Sequence, residues 1–253
     1  MSLVVDQRPA PSGRDALSHA ERVQRALSTS FGLAVGGVSA ACDVREALGI
    51  GGDIVDLLEI DGHLLAVLAD VSGKGSAASL VAAMLLASVQ HHAPQVGARP
   101  GALLRAVDTS MRGVLDRTGT LVTLAIAAVD PRARVVRLAS AGHHPVVLHA
   151  AGRATCLIPT CPPMGSVAVS SSEREVAFPP GAALTLASDG VTDQQDWRGR
   201  EFGIAGLQRI VASGPREPRP AVDAILSAVD RHAGLGPVLD DRAVVVIRSG
   251  DPL

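Results

Sequence analysis

Two acidic segments decide how this chain folds, namely Gly51-Gly52-Asp53-Ile54-Val55-Asp56 and Ala69-Asp70-Val71-Ser72-Gly73-Lys74-Gly75. Two apolar runs lie between them, joined by Asp61-Gly62. Asp-Gly between apolar runs is a strong signal for a tight β-hairpin, because both central residues of a type I′ turn need positive φ. Such a hairpin brings Asp53 and Asp70 together at its open end. Two neighbouring carboxylates are costly unless a cation lies between them, and a hard divalent cation is the usual solution.

The composition limits the classes to which the protein can belong. The chain has 253 residues, of which 47% are hydrophobic and only 2% aromatic, so we expect a sizeable core built from Ala, Val, Leu and Ile. A net charge of −2 argues against a groove that binds nucleic acid by neutralising phosphates. No long uncharged apolar run and no signal-peptide pattern is present, so we expect no membrane association and a cytoplasmic location. The three cysteines (Cys42, Cys156 and Cys161) lack the spacing of a zinc site and are expected to be reduced thiols.

The N-terminal part is expected to consist of a disordered lead, residues 1–15, followed by a helix over 16–28. This helix could pack on the domain or pair with a partner helix in a homodimer. From residue 16 to 249 no linker interrupts the apolar pattern, which indicates a single domain.

Residues 33–42 are expected to form one strand, and the hairpin follows at 53–60 and 63–70. Further along the chain, runs with helical and strand periodicity form separate groups. The predicted helices are 77–89, 101–116, 203–212 and 220–233, and the further strands are 121–129, 133–141, 146–149, 153–158, 173–178, 182–187 and 242–248. Helices do not alternate with strands, so the order disfavours a doubly wound parallel sheet. It favours an α+β fold with mostly antiparallel sheets and segregated helices.

Four acidic sites each lie at the end of an apolar strand, next to a glycine or a turn: Asp53, Asp70, Asp189 and the pair Asp240-Asp241. A single Asp in such a place is most often a turn residue. Four of them, if the strand ends converge, form a set of oxygen ligands suited to Mg²⁺ or Mn²⁺. Two such ions about 3.5–4 Å apart can clamp a phosphate and lower the pKa of a water.

These segments resemble the SpoIIE-like (RsbU-like) branch of the PPM metal-dependent protein phosphatases, relatives of protein phosphatase 2C. The similarity extends over residues 16–248 and follows the family's order. Its motifs are Gly51-Gly52-Asp53 with Asp56, Asp70-Val71-Ser72-Gly73-Lys74-Gly75 with Ala77-Ala78, Ala141-Gly142-His143 with Pro145, Ser188-Asp189-Gly190 with Asp193, Phe202-Gly203 with Leu207, and Asp240-Asp241.

The resemblance implies a four-layer α-β-β-α sandwich with two mostly antiparallel sheets and a binuclear Mn²⁺ or Mg²⁺ centre at one edge. The metal ligands it implies are the carboxylates of Asp53, Asp70, Asp189 and Asp240 and the backbone carbonyl of Val71. Asp70 would bridge the two ions. The nucleophile it implies is a metal-activated water held by Asp53 and Asp70, so that no covalent intermediate on a side chain is needed.

The reaction implied is hydrolysis of phosphoserine or phosphothreonine in proteins. In this bacterial branch the usual substrate is a phosphorylated anti-anti-sigma factor, a STAS-domain protein of the partner-switching systems that control sigma factors in stress responses. An alternative is a pseudophosphatase that acts as a regulatory binding module without turnover. A third possibility is a phosphatase of small phosphorylated metabolites.

Four other side chains have both a functional and a structural interpretation. Lys74 and Arg242 could contact a substrate phosphate, or could simply be solvated cations. Trp197, the single tryptophan, could line a substrate flap, although packing as a loop anchor is the favoured interpretation. For His143, an ordering role in its loop is favoured over a role as a base.

Overall fold

The computed structural model describes residues 19, 22–24, 26–27, 32–47 and 49–250. The predicted disordered lead, residues 1–15, lies outside this range. Within the predicted helix 16–28, every residue that is described is helical. Across the described part of the chain, no helix combines the length and the apolarity needed to cross a membrane.

Strands and helices occur in the order that the sequence predicted, with one additional strand near the N-terminus and one additional short helix. The strands are β1 (Gly32–Val35), β2 (Val38–Arg45), β3 (Ile54–Ile60), β4 (His63–Val71), β5 (Val122–Asp130), β6 (Val135–Ala141), β7 (Val146–Ala150), β8 (Arg153–Leu157), β9 (Arg174–Ala177), β10 (Ala183–Ala187) and β11 (Arg242–Ser249). The helices are α1 (Gly75–Val96), α2 (Pro100–Thr118), α3 (Asp189–Thr192), α4 (Gly203–Ser213) and α5 (Pro218–Ala233).

The Asp61-Gly62 hairpin forms as predicted. Asp61 has φ 52° and Gly62 has φ 74°, the positive values that a type I′ turn requires. β3 and β4 pair antiparallel with Ile54 opposite Ala69. Asp53 precedes this pair on one strand and Asp70 follows it on the other, so the two carboxylates lie across from each other at the open end.

The expectation of one strand over residues 33–42 was wrong. The segment is a second hairpin, in which β1 and β2 pair with Val35 opposite Val38. Gly36 and Gly37 form its two-residue turn, with φ 56° and 85°. Glycine reaches positive φ at no steric cost, so a Gly-Gly pair can reverse the chain even inside a small apolar run.

The strands form two sheets in which all named strands pair antiparallel. The first has the order β1-β2-β11-β10-β7-β8, and the second has the order β3-β4-β5-β6-β9. Apolar side chains of both sheets meet between them, α1 and α2 cover the outer face of the second sheet, and α4 and α5 cover that of the first. The predicted four-layer α-β-β-α sandwich is therefore confirmed.

The core explains why so few aromatic residues suffice. Each of the three interlayer clusters is built almost wholly from Ala, Val, Leu and Ile, and Phe178 is the one fully buried aromatic among the described residues. Central strand β5 is buried on both faces, as its continuous apolar run predicted. α1 extends past its predicted end at Val89 and contains Pro94 in its last turn, where the missing N–H leaves the carbonyl of Gln90 without its helical donor.

Candidate metal centre

The two sheets place their acidic residues at one common edge. Asp53 and Asp70 lie at the open end of the β3–β4 hairpin in the second sheet. Asp189 begins α3 directly after β10, and Asp240 precedes β11, the neighbour of β10 in the first sheet. The charges of Asp189 and Asp240 both act on Asp70, which shows that the acids from the two sheets converge.

Asp53 is the most enclosed of these carboxylates. It is only 4% exposed, and its Oδ2 atom has no hydrogen-bond partner. Burial raises the pKa of Asp53 well above its usual range, the charge of Asp70 adds to this effect, and the Ser188 hydroxyl opposes it. A buried carboxylate oxygen without a partner is costly unless a proton or a metal ion satisfies it.

Asp70 and Asp189 experience the same repulsion in a more open setting. Burial raises the pKa of Asp70 to about 7, with further contributions from the charges of Asp189, Asp240 and Asp241. Burial also raises the pKa of Asp189, followed by the charges of Asp193 and Asp240. The repulsion among these groups is the electrostatic pattern that a bound cation would relieve.

The Asp241 carboxylate binds backbone N–H groups of the segment that precedes β3. Its Oδ1 accepts a hydrogen bond from the backbone N–H of Ala47 at 2.8 Å, and its Oδ2 accepts one from Gly52 at 2.9 Å. A Cβ atom on Gly51 would lie 1.9 Å from Asp241 Oδ2. Asp241 therefore joins the glycine loop of one sheet to the strand end of the other. The sequence shows the Asp240-Asp241 pair, but it does not show that Asp241 binds these backbone N–H groups while Asp240 belongs to the acidic edge.

Two further glycines allow backbone to approach closely here. A Cβ on Gly52 would lie 2.6 Å from the carbonyl oxygen of Val71, which places that oxygen beside the loop carrying Asp53. A Cβ on Gly190 would lie 1.9 Å from the backbone oxygen of Asp241, so the start of α3 is pressed against the end of β11. Neither approach is possible with a larger residue.

We call Asp53, Asp70, Asp189 and Asp240 the acidic cluster. Lys74 lies at its exposed side, next to Asp240. Its Nζ atom is 2.9 Å from Oδ2 of Asp240 and donates a hydrogen bond to the backbone oxygen of Leu239 at 2.7 Å. The hydrogen bond to Asp240 raises the pKa of Lys74. Lys74 is therefore a cation that adjoins the acidic cluster and is paired with Asp240.

Arg242 does not fit the role of a substrate contact. Its side chain is buried, and Nη1 lies 2.5 Å from Oδ1 of Asp230 on α5. Contact with a phosphate would require breaking this ion pair and moving a guanidinium group out of the interior. Arg242 follows the acidic pair in the sequence, but the packing of α5 on the sheet directs its side chain to Asp230.

Two residues that sequence analysis did not assign to the site contact the segments that carry its carboxylates. The side-chain amide of Gln24, in the N-terminal helix, donates to the Gly51 carbonyl at 2.8 Å and accepts from the Gly51 N–H at 3.1 Å. Thr123 lies opposite Asp70 in the β4–β5 ladder, and its hydroxyl is 2.9 Å from Nδ1 of His143. Neither contact has a local sequence signal, because each joins residues that are distant in the chain.

His143 is buried beside Thr123 of β5 and not exposed at the acidic edge. This burial lowers the pKa of its imidazole to about 4. Its Nδ1 contacts the hydroxyl of Thr123, which lies opposite Asp70, whereas its Nε2 has no hydrogen-bond partner among the described residues. A neutral imidazole in this place suits the ordering role favoured from the sequence.

The donor chemistry of this edge fits a hard divalent cation. The side chains are carboxylates, a backbone carbonyl lies among them, and one buried carboxylate oxygen has no partner. Among the described residues, however, no three His, Cys, Asp or Glu side chains form a complete ligand set around one point. The residues are thus of the right type and in the right neighbourhood, with Lys74 engaging one of them.

Comparison with known proteins agrees with this architecture. Residues 60–250 match the family model of Stage II sporulation protein E (SpoIIE), which is more than half of the chain. No curated protein sequence matches the chain significantly.

Several solved structures share the fold. The SiaA-PP2C domain of Pseudomonas aeruginosa has a TM-score of 0.81 at 23% identity, covering 93% of this chain and 96% of that one. The RsbU and RsbW domains of a Mycobacterium tuberculosis protein give 0.73 at 23% identity, over 87% of this chain and 62% of that one. The catalytic domain of the serine/threonine protein phosphatase PstP, in complex with two manganese ions, gives 0.65 at 17% identity, over 85% of this chain and 99% of that one.

Proposed function

Because this chain belongs to the SpoIIE family of PP2C-type serine/threonine phosphatases, we propose that it hydrolyses phosphoserine or phosphothreonine in a protein substrate with the help of two Mn²⁺ or Mg²⁺ ions. The proposed metal ligands are Asp53, Asp70, Asp189, Asp240 and the carbonyl of Val71. The observation that carries the proposal is the convergence of the acids at one edge, where burial and mutual repulsion raise the pKa of Asp53, Asp70 and Asp189.

The chain's own groups would prepare the reaction in three ways. Asp70, on which the charges of Asp189 and Asp240 from the other sheet act, would hold the ions jointly with Asp53, whose side chain is buried. Lys74 is exposed at the rim, where it could attract a phosphate dianion. Ions bound here would polarise the phosphate and lower the pKa of an attacking water. No cysteine, serine or histidine of the site is needed as a nucleophile.

The proposed substrate is a phosphorylated anti-anti-sigma factor of the STAS type, acting in a cytoplasmic partner-switching system. Support comes from the fold shared with the RsbU and RsbW domains and from the SpoIIE family match. We also propose that the N-terminal helix can mediate a homodimer, because its described apolar residues Val23 and Leu27 are exposed. Light scattering of the wild type and of a Val23→Asp variant tests this. We expect a dimeric wild type and a monomeric variant, and a monomeric wild type would overturn the proposal.

Hydrolysis of p-nitrophenyl phosphate with and without Mn²⁺ tests the reaction, comparing the wild type with Asp70→Asn. We expect turnover that depends on Mn²⁺ and is lost in the variant. Absence of Mn²⁺-dependent turnover at micromolar enzyme would favour the pseudophosphatase. With turnover established, a phosphorylated STAS protein and a phosphosugar compared as substrates separate a protein phosphatase from a phosphatase of small metabolites.

A further inference from the structure

The loop after α3 presents the single tryptophan of the chain to solvent. Trp197 is 73% exposed, so it is not the packed loop anchor that the sequence favoured. Its indole instead carries the guanidinium group of Arg198, whose Cζ lies 4.3 Å from the ring centroid. Most of the apolar surface of this large aromatic side chain is therefore in contact with water. Large exposed apolar surfaces frequently mark interaction sites.

The loop that carries Trp197 is stabilised by hydrogen bonds to the side chain of Asp196. Asp196 is buried, and its Oδ1 accepts hydrogen bonds from the backbone N–H groups of Arg198 at 2.8 Å and Arg200 at 3.0 Å. Its Oδ2 accepts a hydrogen bond from Nε of Arg200 at 2.9 Å. The Arg200 backbone N–H is the main reason that the pKa of Asp196 is lowered to about 2. Trp197 is therefore displayed on a preorganised turn, which reduces the entropy lost when a partner binds.

This turn is attached to the strand end that carries Asp240. Gln194 is buried and donates a hydrogen bond to the backbone oxygen of Pro237 at 2.9 Å. A Cβ on Gly236 would lie 3.4 Å from the Gln195 carbonyl, so the loop over residues 234–239 packs against the base of the tryptophan turn. Only three residues separate Asp193, which follows the end of α3, from Trp197, a span of at most roughly 14 Å.

The adjoining loop adds further apolar surface. Leu235, Val238 and Leu239 are all exposed, and Leu239 is the residue whose carbonyl accepts the hydrogen bond from Lys74. We call Trp197, Arg198, Leu235, Val238 and Leu239 the tryptophan platform. The platform is thus continuous with the acidic cluster through Leu239 and Asp240.

We propose that the tryptophan platform binds the polypeptide that flanks the phosphorylated residue of the substrate, and so contributes to the choice of protein substrate. This rests on the proposed function. Its position beside the acidic edge identifies the occupant, because a chain whose phosphate reaches the cluster must cross the neighbouring surface. In an extended segment, a side chain two to four residues from the phosphorylated one lies within about 14 Å of it.

The charge of the platform agrees with such an occupant. Among the described residues, Arg198 has no carboxylate within ion-pair distance, whereas Arg200 is neutralised by Asp196. An unneutralised guanidinium group stacked on an indole favours a segment that combines an apolar side chain with negative charge. Trp and Arg are also the residue types most enriched among those that dominate the energy of protein interfaces.

The fluorescence of Trp197 offers a direct test, because the chain contains one tryptophan and no tyrosine. The full chain in EDTA is titrated with two phosphoserine peptides. One carries Leu or Phe two to four residues from the phosphoserine, and the other has Ser at the same positions. We expect the apolar peptide to shift the emission maximum to shorter wavelength, and the serine peptide to need at least about ten-fold higher concentration.

Equal effects of the two peptides, or no shift with either, would overturn the proposal. So would an emission maximum that is already blue-shifted without peptide and depends on protein concentration, because a second copy would then occupy the platform. The Leu235→Ala variant should weaken the shift. Val167→Ala, an exposed apolar residue in the loop that pairs with β5 of the other sheet, should leave it unchanged.

Kinetics separate failure of this proposal from failure of the proposed function. With Mn²⁺ present, Trp197→Ala should raise the KM for the apolar peptide about ten-fold and leave hydrolysis of p-nitrophenyl phosphate unchanged, whereas Trp197→Phe should retain most of the wild-type affinity. An equal loss for both substrates would mean that Trp197 only supports the fold, and would overturn the proposal. If nothing is hydrolysed but the apolar peptide still shifts the emission, the platform stands and the proposed reaction fails.

Discussion

The ammonium group of Lys74 lies 2.9 Å from the carboxylate of Asp240 and holds the backbone oxygen of Leu239 at the same time. A side-chain cation from the segment that precedes α1 is thus bound to a proposed metal ligand from the other sheet. A divalent ion that uses Asp240 has to compete with this ammonium group.

Replacing Lys74 by Gln should therefore strengthen metal binding. Exposed ion pairs contribute roughly 0.2–1 kcal/mol, so we expect the Mn²⁺ dissociation constant to fall by up to about five-fold. Electron paramagnetic resonance of free Mn²⁺ measures this without any turnover. Lys74→Arg retains the charge and should behave like the wild type. Weaker binding in Lys74→Gln would show that Lys74 supports the site instead of competing for it.

Metal-free protein should lose stability as the pH rises, because of Asp70. Its pKa is about 7 in the fold against an ordinary value of 3.8, so the folded state binds a proton that the unfolded state releases. The stabilisation is fully present below about pH 4 and is lost as the pH passes through about 7.

The difference in melting temperature between the wild type and Asp70→Asn isolates this effect. In EDTA, the wild type should fall relative to the variant between pH 4 and 7. With Mn²⁺ the trend should reverse, because a metal ion binds the deprotonated carboxylate. A difference that does not change with pH in EDTA would contradict the assignment.

Gly190→Ala should destabilise the fold by about 1–3 kcal/mol or more. The new Cβ would lie 1.9 Å from the backbone oxygen of Asp241, which cannot rotate away as a side chain could. Urea denaturation measures the loss. Gly113→Ala is the matched control, because its Cβ would meet only the flexible end of Arg117 at 3.4 Å within helix α2, where Ala is favoured over Gly by about 1 kcal/mol. Equal stability of the two variants would refute the close approach.

Gln24→Ala should loosen the glycine loop that precedes Asp53. The variant removes both hydrogen bonds to the Gly51 backbone, each with a net contribution of about 1 kcal/mol. Hydrogen exchange followed by mass spectrometry should show faster exchange over residues 49–53. Arg22→Ala, which alters an exposed neighbour in the same helix, should not change it. Unchanged protection in Gln24→Ala would mean that the helix does not hold this loop.

Much of the architecture was predictable because its causes are local. Asp61-Gly62 specifies a turn with positive φ, and the apolar runs on either side specify the strands that it joins. The same logic failed at Gly36-Gly37, where the flanking residues are small and apolar on both sides and the two glycines were taken as part of one strand. The short helix α3 was also missed, because four residues are too few to show a helical period.

The sequence by itself determined the two hairpin acids, the order of the strands and helices, and the type of ligand at each strand end. These follow from turn chemistry and from periodicity over a few residues. Only the tertiary structure decided that Asp189 and Asp240 approach the hairpin acids, that Arg242 pairs with Asp230, and that Trp197 faces solvent. The reason is physical: these outcomes depend on how two sheets and their helices pack, through contacts between residues far apart in the chain.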